Sequence, residues 1–332
     1  MINLTPFSVK SILGIDSRGA ETLAVVIKGT FRAVKGSLQI CEEQEPVHLA
    51  DEYWDDPEVS SLRHCADSAL FKPKTDILLS GHAYAPGGTA LMADVTLNVA
   101  SVNKSILIFG NRFWEKGFFG TKASGPEAFE RIPLVYERAF GGIDSSVGQA
   151  ELRNPAGVGF RGKRSKVELI GMPLPNIENP YELIGGPGHK PSPVGFGPIG
   201  PHWKPRVNYA GTYDQNWVEN VAPMLPDDYD PLFQQCAPPD QIVPYLKGGE
   251  PVEVLNASPG GYLCCTVPAL KMQVVIGIDE ERRQVPVNLD TLIIDGDGER
   301  IICVFRGCTS VHGLVYDVEW IKVAIEKMGA VL

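Results

Sequence analysis

Three clusters in the chain combine residue types that could do chemistry, and spacing decides each. Gly157-Val-Gly159-Phe-Arg-Gly162-Lys163-Arg164 matches G-x-G-x-x-G and nearly matches a phosphate-binding G-x-x-x-x-G-K-[ST] loop. Both patterns work by ending a strand and opening a helix whose first amides hold the anion. Here Arg153-Asn154-Pro155-Ala156 precedes the glycines as a turn, and Gly171 and Pro173 leave no room for a crossover helix. Arg164 also stands where a magnesium-binding hydroxyl is required, so a glycine-rich turn is expected. Asp295, Asp297 and Glu299 have the spacing of calcium-loop ligands, but Arg306 sits where the bidentate acid belongs and strand-like runs flank the segment. A solvated hairpin turn is the expectation. Cys303, Cys308 and His312 could supply three zinc ligands, yet structural zinc asks for closely paired cysteines and a fourth ligand. Buried thiols are expected there, with no metal and no cofactor.

Nucleophilic motifs are missing: the sequence has no G-x-S-x-G and no H-E-x-x-H. His64 and Cys65 are neighbours in sequence, which does not make them a dyad. Asp214, Glu219, Asp227, Asp228 and Asp230 lie among aromatic residues, a composition also found in sugar-binding clefts. Two of these acids meeting in space would give the carboxylate pair of glycoside hydrolysis. A carbohydrate-binding or glycoside-processing enzyme is therefore the alternative reading.

The elements that must position these residues change character twice. From 1 to 119 the chain reads as strands and turns. Leu23, Val25, Ile27 and Phe31 alternate with Lys28, Thr30 and Arg32, the period of two of a half-buried strand. Ala93, Val95, Leu97 and Val99 alternate with Asp94, Thr96 and Asn98 in the same way, and Ser105 to Phe109 follows after a turn near Asn103-Lys104. Cys41 to Glu58 holds eight acids and reads as an exposed acidic loop. From 120 to 250 prolines recur every few positions, and Gly185 to Pro201 has six glycines and five prolines. Phe160, Ile177, Phe196, Ile199, Trp203, Tyr209, Tyr213 and Trp217 are threaded through this region, which a flexible linker would not carry. An ordered, loop-built platform is expected. From 251 to 332 strands return at Tyr262 to Val267, Met272 to Ile278, Thr291 to Asp295 and Ile301 to Arg306, with Asp295-Gly-Asp-Gly298 as a hairpin turn. Val318, Ile321 and Ile325 fall at helical spacing and predict a short C-terminal helix over Val318 to Met328. The expected fold is mainly β, with antiparallel sheets in a sandwich- or barrel-like framework formed from both ends of a single 1–332 domain.

Composition sets outer bounds. The 332 residues include 35 glycines and 27 prolines, about half as many again as average usage, which excludes a helical bundle. A net charge of −10 and the lack of any long Lys/Arg run argue against a nucleic-acid partner; the densest basic stretch, Arg161 to Lys166, reads as a solvated loop. Apolar runs such as Ile106 to Phe109 are too short to span a bilayer, so no membrane is expected. Met1 to Phe7 has no positive leader, and the seven cysteines include Cys264, Cys265 and Cys303 in apolar runs that read as buried thiols. The expected location is the cytoplasm.

The middle region resembles a bacterial family known as domain of unknown function 2169. The resemblance rests on Glu130-Arg-Ile-Pro-Leu-Val-Tyr-Glu-Arg-Ala-Phe-Gly-Gly142, Arg153-Asn-Pro-Ala-Gly-Val-Gly-Phe160, Leu174-Pro-Asn-Ile-Glu178 and Pro193 to Arg206. Gly211-Thr-Tyr-Asp-Gln-Asn-Trp217, Leu225-Pro-Asp-Asp-Tyr-Asp230, Pro238-Pro-Asp-Gln241 and Gly248-Gly-Glu250 follow in the same order, while Phe233-Gln-Gln-Cys236 departs from the Asn-containing stretch of the pattern. The resemblance implies a type VI secretion adaptor or chaperone that is not an enzyme. Its partners would be a cognate secreted effector and the spike or spike-tip protein onto which that effector is loaded. A purely structural secretion component is the lesser variant. The resemblance brings no catalytic residues. For a loading adaptor, Trp203, Arg206, Tyr213 and Trp217 are the expected partner-binding residues, because Trp, Tyr and Arg are the types that anchor interfaces.

Overall fold

Alternation at Ala93, Val95, Leu97 and Val99 becomes the Met92–Val99 strand, with those four side chains buried and Asp94 outward. It forms a hairpin with Val102–Phe109, in register from Val99 opposite Val102 to Met92 opposite Phe109. The turn lies at Ala100-Ser101, earlier than Asn103-Lys104, and Ala100 takes a φ of 51° to make it. Lys104 instead sits inside the strand, its ammonium reaching Asp240 at 3.0 Å and Gln241 at 2.8 Å. The computed structural model describes residues 1–17, 19–118, 120–278, 281–311 and 315–328. In a five-stranded sheet the hairpin is flanked by Ile177–Glu178 on one side and by Pro251–Leu255 and Tyr262–Thr266 on the other. All three parts of the chain thus enter one sheet.

A seven-stranded sheet faces it. Its order is Ile242–Val243, Thr75–Ser80, Val287–Asp295, Arg300–Ser310, Glu21–Val34 and Ser8–Ile15, with Ser37–Ile40 also pairing with Glu21–Val34. Only Thr75–Ser80 and Val287–Asp295 run parallel in this sheet. The expected hairpin at Asp295 to Gly298 joins two central strands, and the Asp295 carboxylate accepts the Gly298 amide at 3.1 Å. Ile27, Phe31, Leu79, Leu292, Ile294 and Cys303 share one core with Val95, Leu97, Ile106, Ile108, Val252 and Val254 from the opposite sheet. Both sheets end in open edges, so the framework among the described residues is a sandwich and not a closed barrel.

The half-buried reading of Leu23 to Phe31 is corrected. Ala24 through Phe31 is buried on both faces. Lys28 and Thr30, assigned to solvent by alternation, are covered, Lys28 by the stretch that carries Asp67 and Thr30 by the Cys41 to Glu58 segment. That segment is more than an acidic loop: Val47 packs on Val26 and Val304, and the Gln44 amide pairs with the Thr30 backbone at 2.7 and 3.1 Å. Glu42, Glu43, Glu52, Asp55, Asp56 and Glu58 remain exposed. Charges on this outer face are paired, Lys28 with Asp67 at 3.0 Å, Lys72 with Asp76 at 2.6 Å and Arg306 with Asp290 at 2.5 Å. Unpaired buried charges would cost several kcal/mol each.

The C-terminal helix is also corrected: Val318–Met328 is a strand. It lies between Ile2–Asn3 and Leu270–Ile278 in a four-stranded sheet completed by Glu281–Val285. Val318, Ile321, Val323 and Ile325 stand opposite Ile278, Ile276, Val274 and Met272, and a register shift between Gly277 and Ile278 inserts an extra residue after Val318. A β-bulge of this kind breaks the period of two. The apolar spacing of three from Val318 to Ile321 comes from that bulge, not from a helical turn.

Between 120 and 250 the described chain has only strands of two to four residues, 3-10 turns and one six-residue α-helix, Gln215–Asn220. Phe160, Ile177, Phe196 and Ile199 are buried, as expected of a platform packed on the sheets.

Candidate partner-binding site

The four expected anchors fall into two pairs with different surroundings. Trp203 is half-buried against the main core and meets Tyr136 edge-on, with ring centroids 5.6 Å apart at 85°. Arg206 opens a 3-10 turn, Arg206–Tyr209, and is buried. Its Nε donates to the Phe233 carbonyl and its Nη1 to the Ile199 carbonyl, both at 2.9 Å, and its guanidinium lies 5.4 Å from the Phe233 ring centroid. Burial works against this charge, but Cys65, Cys236 and Asp51 together raise its pKa above the ordinary value. Arg206 also lines a cleft of about 190 Å³ with Lys74, Tyr209, Leu232 and Ile242. Trp203 thus packs the platform on the core, while Arg206 ties two platform segments together.

Tyr213 and Trp217 belong to a flap over residues 211–228. Asp228 closes its base by accepting the Thr212 amide at 2.8 Å and the Thr212 hydroxyl at 2.7 Å, and these bonds hold the carboxyl below its ordinary pKa. Gly211 turns into the flap at φ +83°, where a Cβ would lie 2.8 Å from Pro226. Asp214 caps the Gln215–Asn220 helix by accepting the Trp217 amide at 2.9 Å. The Trp217 indole donates to the Met224 carbonyl at 2.9 Å and meets the Tyr213 ring edge-on at 4.7 Å. Trp217 is thus the half-buried post of the flap. Tyr213 is 54% exposed, Val218 56% and Met224 36%.

Val218 and Met224 were not singled out by the sequence, since an aliphatic residue in a polar run carries no sign of its exposure. Of the five acids that suggested a sugar cleft, Asp214, Asp228 and Asp230 are engaged with backbone amides as caps or clamps. Glu219 accepts from Gln215 at 2.8 Å along the same helix. The flap is therefore an acidic, aromatic and apolar surface: between 211 and 230 there are five acids and no Lys or Arg.

The remaining motifs resolve into structural roles. Gly157 to Arg164 passes through a short strand, Val158–Gly159, into a turn whose Lys163 amide donates to Asp144 at 3.0 Å. An amide a phosphate would need is thus occupied by a carboxylate of the chain. Asp297 accepts the His82 amide at 3.0 Å and the Tyr84 hydroxyl at 2.9 Å, tying the hairpin turn to the His82–Tyr84 strand. All seven cysteines are free, with Cys265 and Cys303 buried and Cys264 exposed, which corrects the expectation for Cys264. Cys308 is half-buried, and His312 lies outside the described residues. His64 stacks on His48 at 4.6 Å, and burial pushes its pKa down to about 4. Among the described residues no three His, Cys, Asp or Glu side chains gather as a metal ion would require, and no helix is long and apolar enough to cross a membrane.

A family model described as an uncharacterized protein conserved in bacteria, DUF2169, matches residues 18–306. The chain belongs to that family. No curated protein and no solved structure matches the chain.

Proposed function

We propose that this family member is a non-enzymatic adaptor or chaperone of type VI secretion. In this reading it binds a cognate effector in the cytoplasm and helps load it onto the spike complex. The observation that supports the reading is the flap: Tyr213, Val218 and Met224 face solvent on a support braced by Trp217 and Asp228. Exposed aromatic and apolar groups on a preorganised support are the usual anchors of a protein interface. Trp203 and Arg206 act one layer beneath, holding the platform in place. The acidic surround of the flap fits a basic effector segment, because complementary charge steers encounter.

Co-purification with effectors encoded beside the gene tests the reading, together with effector secretion in a deletion strain. Capture of an effector and loss of its secretion on deletion are the expected results. Absence of any effector complex, together with turnover of a sugar in a glycoside panel, would overturn it in favour of the enzyme.

A further inference from the structure

Away from the flap, two thiols meet on the outer face of the seven-stranded sheet. Cys65 follows the Leu62–His64 strand and Cys236 follows the Pro231–Gln234 turn, so they reach the outer face of the seven-stranded sheet from distant parts of the chain. Cys65 packs against the small cluster of Leu78, Cys236 and Ala237. The two thiols lie side by side in this cluster and line one small cavity. Arg206 Nη1 donates to the Cys65 sulfur at 3.7 Å, and the Cys236 thiol donates to Asp76 Oδ2 at 3.5 Å. Cys65 is partly exposed whereas Cys236 is buried. A cavity of about 30 Å³, lined by both cysteines, Arg63 and His64, has room for a molecule the size of water.

The adjoining Cys236, with the Arg206 and Lys72 cations, holds the Cys65 thiol below its ordinary pKa in spite of burial. The adjoining Cys65, with burial, pushes Cys236 well above its own. The thiolate is the reactive form of cysteine, so the pair has an attacking and a resolving member.

We propose that Cys65 and Cys236 form a peroxide-sensitive dithiol that closes into a disulfide, joining the chain just after the Leu62–His64 strand to the segment that leads out of the flap. The Cys65 thiolate attacks one oxygen of hydrogen peroxide. The O–O bond breaks, Cys65 becomes a sulfenic acid, and the expelled hydroxide takes up a proton and leaves as water. The Cys236 thiol then attacks the Cys65 sulfur, and the sulfenic oxygen leaves as a second water carrying the Cys236 proton. Two thiols are oxidised to one disulfide and one peroxide is reduced to two waters.

The test uses the full chain, reduced, desalted and exposed to an equimolar amount of hydrogen peroxide. The protein is then denatured, alkylated and digested without reductant for mass spectrometry. The expected result is a cross-linked peptide pair containing Cys65 and Cys236, with both lost from the alkylated pool while Cys41, Cys264, Cys265, Cys303 and Cys308 stay alkylated. In Cys236→Ser the sulfenic acid should accumulate on Cys65 and be trapped by dimedone. Oxidation that falls first on exposed Cys264, disulfides with other pairings, or Cys65 and Cys236 both remaining alkylated would each overturn the proposal.

Discussion

Trp203 and Tyr213 are close in sequence, share aromatic chemistry and belong to the same Pro/Gly-rich region, yet they sit in opposite physical settings. Trp203 packs on the core of the frame, and Arg206 beside it is a buried donor that serves carbonyls of two other platform segments. Tyr213, with Trp217, stands on a flap whose bonds close mainly within 211–228. The difference teaches that residue type alone does not identify an interface. A buried Arg holds the fold together, while an exposed Tyr with few contacts is free to bind.

Substitutions should separate the two settings, and the largest effect belongs to the frame. Arg206→Met leaves the Phe233 and Ile199 carbonyls without their donor and is expected to destabilise by about 3 kcal/mol. Urea denaturation should show this as a lower midpoint with an unchanged slope. Trp203→Ala removes a half-buried ring from the core and should cost about 2 to 3 kcal/mol, somewhat less than a fully buried Trp would. If either variant keeps wild-type stability but loses effector binding, the assignment of that residue to the frame is wrong.

Acid gives a third comparison. His64 has an ordinary pKa of 6.5, and burial, with the neighbouring His48 and Lys28, lowers it to about 4 in the folded protein. The unfolded chain therefore binds the proton first. The contribution of neutral His64 to stability is complete above pH 6.5 and is lost progressively as pH falls toward 4, below which the loss levels off. His64→Phe should flatten the pH dependence of the urea midpoint across that window, whereas Asp228→Asn at the base of the flap should leave the dependence there in place. On the flap itself, Trp217→Ala should cost about 1 kcal/mol through loss of its indole bond and its contact with Tyr213. Tyr213→Ala should stay within about 0.5 kcal/mol, since little is buried there.

The same contrast explains how much was legible in the sequence. Met92–Val99 has one face in the core and one outside, so alternation reports it faithfully. Glu21–Val34 is covered on both faces, and Lys28 and Thr30 look solvated until Asp67, Gln44 and Val47 are brought over them from distant sequence. Val318–Met328 misleads because its bulge lies in the pairing with Leu270–Ile278, a property of two strands that neither displays alone. At the candidate site, residue type marked Trp203, Arg206, Tyr213 and Trp217 equally. What separates them, two buried carbonyl acceptors against a clamp at Asp228, depends on long-range contacts.

The most direct measurement is the affinity of the effector required by the proposed function for a Tyr213→Ala, Val218→Asp double variant, determined beside wild type by calorimetry at one salt concentration. If the flap is the partner surface, the dissociation constant rises about 30-fold or more, as expected when interface anchors are lost, and thermal stability stays near wild type. An unchanged affinity in a stably folded double variant would contradict the account and place the partner elsewhere on the protein.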